Sequence, residues 1–322
     1  FKQKTAYEIS LGLVGSEMCI RDRTYIDRIK RGHIVPGASI AIIEDSRSAT
    51  VVDGNWGFGY VVSERVMEIT IDKARDNGVA AATIFKQSHV GRLADYPIMA
   101  ANAGMVGLMT ADSGRSAKSV APFGGREPRL GTNPICIAIP SNLDGPLFID
   151  MATSAAAGGK LNVARARGTN VPEGWLLDKE GNSTVDPNAT NQGGVILPLG
   201  GAEGHKGYGL SVMIEILSGI LTGLGFGHDP SGRHNDGCFI AVFNLAAFRE
   251  VDDFKREIQE FAEYLKSSAP ASGFDEVYYP GELEHIREKS QKKTGIFVEE
   301  ATWAELSKLA VKYGIESVMK VG

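Results

Sequence analysis

The stretch VVSERVMEITIDKARDNGVAAATIFKQSHVG, residues 61–91, predicts a helix, a strand and a loop that carries a histidine. Apolar residues recur at helical spacing up to Asn77, and Gly78 follows where a helix would end. The apolar run Ala80–Phe85 predicts a buried strand. This strand leads directly into KQSHVG, so a strand end and a histidine-bearing loop are adjacent.

The same alternation of elements continues on both sides of this stretch. Further strands are predicted at 39–43, 49–52, 106–110, 135–139, 147–149 and 239–243. Further helices are predicted at 25–31, 94–103, 154–167, 208–222 and 251–267, and from residue 286 onward. An acidic turn is predicted at 44–46, between the first two strands. Alternating helices and strands indicate an α/β or α+β fold.

The composition limits the classes of function. The chain has 322 residues, a net charge of −5 and 43% hydrophobic residues, which excludes a disordered chain and disfavours nucleic acid or a membrane as the main partner. No apolar run is long enough to predict a membrane-spanning helix. Three cysteines without a CxxC pair predict neither a disulfide scaffold nor structural zinc, and no metal site is expected. We therefore expect a cytoplasmic enzyme whose cysteines lie in the core.

Residues 1–23 resemble translated sequencing-adapter sequence, in two blocks at Phe1–Glu8 and Leu13–Asp22. The segment lacks the layout of a signal or transit peptide. We expect it to be an artefact that is peripheral or poorly ordered, and no function is assigned to it.

Two glycine-rich segments resemble nucleotide-binding motifs but do not match them. GNWGFG at 54–59 has the spacing GxxGxG, whereas the Rossmann fingerprint is GxGxxG. It is interpreted as a strand-to-helix turn. GHKG at 204–207 lacks the glycine before the lysine and the Ser or Thr after it that a P-loop needs.

Three other loops are candidate functional segments. His89 follows a strand end and suits proton transfer near neutral pH, although a structural histidine is the alternative. DMATS at 150–154 ends a strand and opens a predicted helix, where Thr153 or Ser154 could cap the helix and its free N–H groups could bind phosphate. Lys206 lies between glycines ahead of an apolar helix, with a merely solvated lysine as the alternative.

Taken together, these loops resemble those of the type 2 malate/L-lactate dehydrogenase family. The similarity extends from Thr24 to Gly314. The matching stretches are SHVGR (88–92), VAPFGGREPRLGTNP (120–134), DMATS (150–154), GK (159–160), PEGWLLDKEG (172–181), DP (186–187), HKGYGL (205–210), EILSGILTG (215–223) and YYPGE (278–282).

The resemblance implies an oxidoreductase that uses NAD or NADP to interconvert a 2-hydroxy acid and a 2-oxo acid. It also implies a non-Rossmann fold, a mixed β-sheet with flanking helices, assembled as a homodimer. His89 is implied as the catalytic acid/base. The implied cofactor-binding residues are Ser113, Asp150, Met151, Ala152, Lys206, Gly207, Gly281, Glu282 and Leu283.

The resemblance also divides the chain. We expect 24–49 to be the remnant of a truncated helical domain, 50–282 the catalytic core and 283–322 a helical tail. In the family, the missing segment carries an Asp-Ser-His-Gly motif whose histidine contributes to the substrate site. Reduction of a cyclic imine acid or a diketo sugar acid, or a non-catalytic nucleotide-binding role, is the alternative.

Overall fold

The structure is a computed structural model that describes residues 24–112, 115–229, 233, 235–296, 298 and 300–315. The expectations for residues 1–23 and for Ser113 lie outside the described residues. In the described part of the chain, no helix is both long and apolar enough to span a bilayer.

A seven-stranded mixed sheet forms the centre of the molecule. Its strands are β1 (Ala41–Asp45), β2 (Ala49–Gly57), β3 (Val79–Gln87), β4 (Met105–Ala111), β5 (Ile135–Ile139), β6 (Leu147–Met151) and β10 (Cys238–Asn244). The order is β1-β2-β3-β10-β4-β5-β6. Only the β2–β3 pair is parallel among these described strands. A crossover helix joins that pair, as parallel neighbours require.

Eight α-helices are described. They are α1 (24–30), α2 (Gly59–Asn77), α3 (Asp95–Asn102), α4 (Gly158–Arg167), α5 (Gly204–Glu215), α6 (Val251–Lys266), α7 (Glu282–Thr294) and α8 (Glu300–Tyr313). The crossover helix α2 buries Val62, Val66 and Met67, which recur every three to four residues and pack in the main core with the sheet and α3. Gly78, at φ 81°, ends this helix as expected.

A small second sheet lies beside α4. It has the order β8-β7-β9, formed by β7 (Leu176–Leu177), β8 (Ser183–Thr184) and β9 (Val195–Ile196). Leu161 of α4 packs with Trp175 and Ile196 in a separate apolar cluster. The described residues thus form two apolar cores. The segment from β9 to α5 begins in the smaller core, which contains Ile196.

The predicted mixed α/β architecture is confirmed, and three local predictions are wrong. Residues 44 and 45 belong to β1, not to a turn. The helix predicted from residue 154 begins at Gly158, and the helix predicted from residue 208 begins at Gly204. Beyond Glu215 the latter continues as a π-helix, Ile216–Ile220. The division into three segments stays a prediction. Because β1 pairs with β2, the sheet includes residues on both sides of the predicted boundary at residue 49.

Candidate active site

The His89 loop lies where β3 leaves the sheet and is packed against the start of α2. The Ser88 N–H donates to the Gly57 carbonyl at 3.1 Å. A Cβ atom on Gly59 would lie 2.3 Å from the Ser88 carbonyl oxygen, so only glycine allows this contact. The glycine-rich turn that fails as a Rossmann fingerprint therefore supports the His89 loop.

Hydrogen bonds define the state of the half-buried His89 ring. Its Nδ1 accepts the Gly91 N–H at 3.1 Å and lies 2.9 Å from the Tyr25 hydroxyl. The Tyr25 hydroxyl is also 3.2 Å from that of Tyr60. Because an amide N–H can only donate, Nδ1 is the acceptor nitrogen and the neutral ring carries its proton on Nε2.

The backbone before and after His89 is also fixed. Lys86 has φ 52°, which is unusual for a side-chain-bearing residue, and its Nζ lies 2.6 Å from Asp53 Oδ2. Its N–H donates to Asn235 Oδ1 at 2.7 Å. The Val90 N–H donates to a buried carboxylate, Asp236 Oδ2, at 3.2 Å. Such over-determined backbone is characteristic of functional loops.

Asp150 lies near the end of β6 and contacts the segment that follows the His89 loop. Its Oδ2 accepts the Ala94 N–H at 2.9 Å. The residue is exposed, yet the protein around its carboxylate removes part of its water and raises its pKa despite the N–H bond and the nearby Arg92. Met151 and Ala152 follow, both half-buried. Asp150 therefore contacts the N-cap residue of α3, five positions after His89.

A chain of backbone contacts connects the Asp150 loop to α5. The Leu199 N–H donates to the Thr153 carbonyl at 2.9 Å. A Cβ atom on Gly207 would lie 2.1 Å from the Leu199 carbonyl oxygen, so residue 207 must lack a side chain. Two of the predicted cofactor segments are thus joined through one residue, Leu199, in the turn before α5.

Lys206 lies in the first turn of α5 rather than ahead of it. Its ammonium is 3.0 Å from Glu203 Oε2, and the side chain is 71% exposed. The first turn of α5 has neither a side-chain cap nor an acidic residue. A 3-10 turn, Gly201–Glu203, precedes α5, so the Gly204 N–H already donates to the Gly201 carbonyl, and the N-cap is the acidic Glu203. A lysine and the N–H groups of a helix start are the kinds of donor that suit a diphosphate.

Ser154 does not cap a helix, contrary to the sequence expectation. Its hydroxyl donates to the Ala156 carbonyl at 2.8 Å, and Ala157 takes the N-cap position of α4. The first turn of α4 likewise has no side-chain cap and no acidic residue, and it contains Lys160. Phosphate binding at this helix would therefore involve Gly158–Lys160, four residues beyond the predicted start.

The Gly281–Leu283 turn begins α7 and packs on β6. The Phe148 N–H donates to the Pro280 carbonyl at 3.2 Å. Glu282 accepts the Tyr279 N–H at 3.1 Å and pairs with Lys266, and its own N–H donates to the Tyr279 carbonyl at 3.1 Å. A groove of about 600 Å³ lies beside this turn. Its lining includes Arg92, Asp95, Phe148, Glu284, His285 and Lys289.

The described contacts therefore join the predicted segments into one region. The Asp150 loop contacts the His89 side through Ala94, and the α5 turn through Thr153 and Leu199. The Gly281 turn lies on the same strand, β6. The ligand roles of these residues stay predictions.

Sequence reasoning missed Tyr25, Lys118, Asn133 and Glu215. Tyr25 lies 64 positions from its histidine partner, and Lys118 lies 97 positions from Glu215. No local sequence pattern connects residues so far apart. The signal that the sequence did offer was Glu215, an acidic residue within the apolar run of α5.

Known proteins resemble this chain over most of its length. The family model described as malate/L-lactate dehydrogenase matches residues 16–307. A malate dehydrogenase of Pyrococcus horikoshii is 37% identical over 306 residues, 92% of this chain and 84% of that protein. The NAD(+) ureidoglycolate dehydrogenase of Escherichia coli K12 is 34% identical over 290 residues, 88% of this chain and 80% of that protein.

Solved structures agree. A malate dehydrogenase of Entamoeba histolytica has a TM-score of 0.87 at 32% identity, over 92% of this chain and 86% of that one. A Δ1-piperideine-2-carboxylate reductase of Pseudomonas syringae has a TM-score of 0.78 at 29% identity, over 90% and 86%. The fold and these matches define the class, the nicotinamide-dependent oxidoreductases. The chain belongs to the malate/L-lactate dehydrogenase family.

Proposed function

We propose that the protein interconverts a 2-hydroxy acid and its 2-oxo acid, using NAD or NADP. The observation that carries this proposal is the half-buried His89 ring, whose Nδ1 accepts the Gly91 N–H, five positions before Ala94, whose N–H donates to Asp150. Family relatives named as malate and ureidoglycolate dehydrogenases support it. When bound, the nicotinamide accepts or donates the hydride.

His89 would exchange the proton of the substrate hydroxyl. Because the neutral ring carries its proton on Nε2, its basic nitrogen is Nδ1. Nε2 would deliver a proton to a 2-oxo group from the cationic ring, and would accept one only after the ring's own proton has moved to Nδ1. When the ring gains a proton and becomes cationic, Nδ1–H must donate, which the Gly91 N–H cannot accept. The Tyr25 hydroxyl can donate to the neutral ring and accept from the cationic one, so it can serve as a partner of both states.

The cofactor would lie along the joined segments. Lys206, with the N–H groups of the first turn of α5, would bind the diphosphate. Asp150, Met151 and Ala152 would hold the cofactor from the β6 side, and Gly281, Glu282 and Leu283 from the α7 side. Ser113, which lies outside the described residues, would be a further cofactor contact.

We further propose a homodimer in the cytoplasm. Apolar side chains on α5 and the π-helix are left exposed: Met213 is 54%, Ile216 40% and Ile220 50% exposed. Their spacing of three to four residues gives one apolar face that a second copy could cover. Cys136 and Cys238 are buried free thiols, which suits a reducing compartment. Light scattering on a sizing column measures the oligomeric state.

The test is turnover by the full-length protein, with NAD and NADP supplied separately. The panel contains malate, L-lactate, sulfolactate and ureidoglycolate, followed by reduced nicotinamide absorbance. We expect oxidation of at least one of them. Reduction of Δ1-piperideine-2-carboxylate alone would favour the cyclic imine activity that the Pseudomonas syringae structure suggests. Cofactor binding without turnover on any of them would favour a non-catalytic relative.

A further inference from the structure

The last residue of α5, Glu215, is at the centre of a buried polar network. Its Oε1 lies 3.0 Å from Lys118 Nζ, and the two side chains are only 7% and 5% exposed. Its Oε2 accepts the Asn133 side-chain amide at 2.8 Å. Both carboxylate oxygens are therefore engaged, each with a different loop.

The network continues from Asn133 to the Asp150 loop. The Asn133 side-chain amide also donates to the Ser211 carbonyl at 3.1 Å, and the Asn133 backbone carbonyl accepts the Thr153 hydroxyl at 2.9 Å. Asn133 is fully buried with φ 39°, a conformation that must be held by its surroundings. Thr153 directly follows Ala152, and its carbonyl accepts the Leu199 N–H.

Stability alone does not account for such a network. A buried ion pair gains little net free energy, because both charges lose their water. An apolar pair of similar volume would stabilise the fold at least as well. What the charged pair supplies is a fixed direction for two hydrogen-bonding loops at the end of the helix that carries Lys206.

We propose that Glu215, neutralised by Lys118, is a positioning residue for the cofactor loop. It fixes Asn133, which fixes Thr153 and thereby the Asp150–Ala152 loop. This inference rests on the proposed function, because it concerns the segment assigned to cofactor binding.

The test compares two charge-balanced double variants. Both carry Lys118→Met, so that both charges of the Lys118–Glu215 pair are removed together. Glu215→Gln keeps an acceptor for the Asn133 amide, whereas Glu215→Leu removes it. Cofactor Kd is measured by NADH and NADPH fluorescence. We expect the Leu variant to raise Kd about tenfold and the Gln variant to stay within about threefold of the parent, the difference being the lost hydrogen bond. The cofactor KM should rise more than kcat falls.

Met67→Ala is the control for a general loss of stability, because it truncates a fully buried side chain in the main core. It distinguishes an effect of lower stability on cofactor Kd from an effect of the lost hydrogen bond. If this control raises Kd as much as the Leu variant at an equal loss of Tm, the role is merely structural and the proposal is wrong. Equal Kd values for the Gln and Leu variants would overturn it as well.

Hydrogen exchange gives a readout that does not need the cofactor. The Thr153 and Leu199 amides donate within this region and should lose protection in the Leu variant but not in the Gln variant. If the parent binds neither cofactor while this difference appears, the proposed function fails and the positioning role stands. Unchanged exchange in both variants would remove the positioning role.

Discussion

The His89 loop and the α5 turn contribute opposite kinds of structure to the same candidate site. His89 is half-buried, with its ring held by Tyr25 and Gly91 and its loop lying on Gly59. Lys206 is 71% exposed and contacts only a surface carboxylate, Glu203, among the residues that the structure describes. One group is therefore held by several contacts within the protein, whereas the other is exposed and paired with one surface carboxylate.

The difference follows from the chemistry assigned to each region. Proton transfer requires a group aligned with the reacting atoms, so the acid/base must be held in advance. A diphosphate is bound mainly by charge and by backbone N–H groups, so a lysine that contributes to binding does not have to be held by the protein in advance. What is rigid in the α5 turn is its backbone, where Gly207 is packed against Leu199.

The largest expected effect tests the fixed region. His89→Ala should lower kcat by about 10²–10⁴-fold, the usual loss for a general acid or base. Cofactor Kd should change little, because the ring is not part of the predicted cradle. Steady-state kinetics with fluorescence titration separate the two quantities. Near-parent turnover would assign proton transfer to another group and remove the contrast between the regions.

A matched pair of glycine substitutions tests the backbone of the α5 turn. Gly207→Ala places a Cβ 2.1 Å from a backbone oxygen and should lower the free energy of unfolding by about 1–3 kcal/mol. It should also raise cofactor Kd. Gly209→Ala meets nothing within 4 Å and should raise stability by up to about 1 kcal/mol, as expected for alanine in a helix. Urea denaturation measures both, and similar values would show that the contact at Leu199 is unimportant.

Lys206→Met tests how much the exposed Lys206 ammonium contributes to cofactor binding. It should raise the cofactor KM about tenfold with a much smaller change in kcat, because binding rather than chemistry is affected. The Tm should hardly move, since exposed ion pairs contribute about 0–1 kcal/mol. Lys179→Met, which removes another exposed lysine paired at 3.6 Å with Glu180, is the control. An unchanged KM would mean that the N–H groups of α5 bind the diphosphate without the lysine.

The sequence predicted the region around His89 better than it predicted the start of α5. The helix ending at Asn77, the strand after it and the His89 loop are local features set by apolar spacing and a glycine. The start of α5 was misjudged because glycines at 204, 207 and 209 disfavour a helix, and tertiary contact with Leu199 outweighs that preference.

The other errors have similar causes. Ser154 suits an N-cap, but residue 154 bridges to Pro198 and stays extended. The two acidic residues predicted as a turn lie on β1, an edge strand, where charges are tolerated. The links to Tyr25 and between Lys118 and Glu215 depend on long-range packing, which spacing does not encode.

The smallest expected effect concerns Asp150, which contacts Ala94 after the His89 loop, while Thr153 further along its loop contacts Leu199 before α5. Folding raises the pKa of this carboxyl, so the folded protein binds its proton at higher pH than the unfolded chain does. The group's contribution to stability therefore falls as pH rises from the ordinary carboxyl range through the raised pKa. Asparagine cannot ionise and keeps an acceptor for the Ala94 N–H. Asp150→Asn should thus have a higher Tm than the parent above that range and an equal Tm below it.

Asp178→Asn is the control of opposite sign. Backbone N–H donors, chiefly that of Asn182, lower the pKa of Asp178. Its contribution to stability is present above the ordinary carboxyl range and is lost as pH falls through the lowered pKa. This variant should therefore have a lower Tm than the parent near neutral pH, and the two should converge in acid. Calorimetry from acid to neutral pH measures both variants. If the Tm of Asp150→Asn equals that of the parent at every pH, folding does not change the pKa of Asp150. The Asp150 carboxylate would then be as well hydrated as the exposed Lys206 side chain and unlike the half-buried His89 ring.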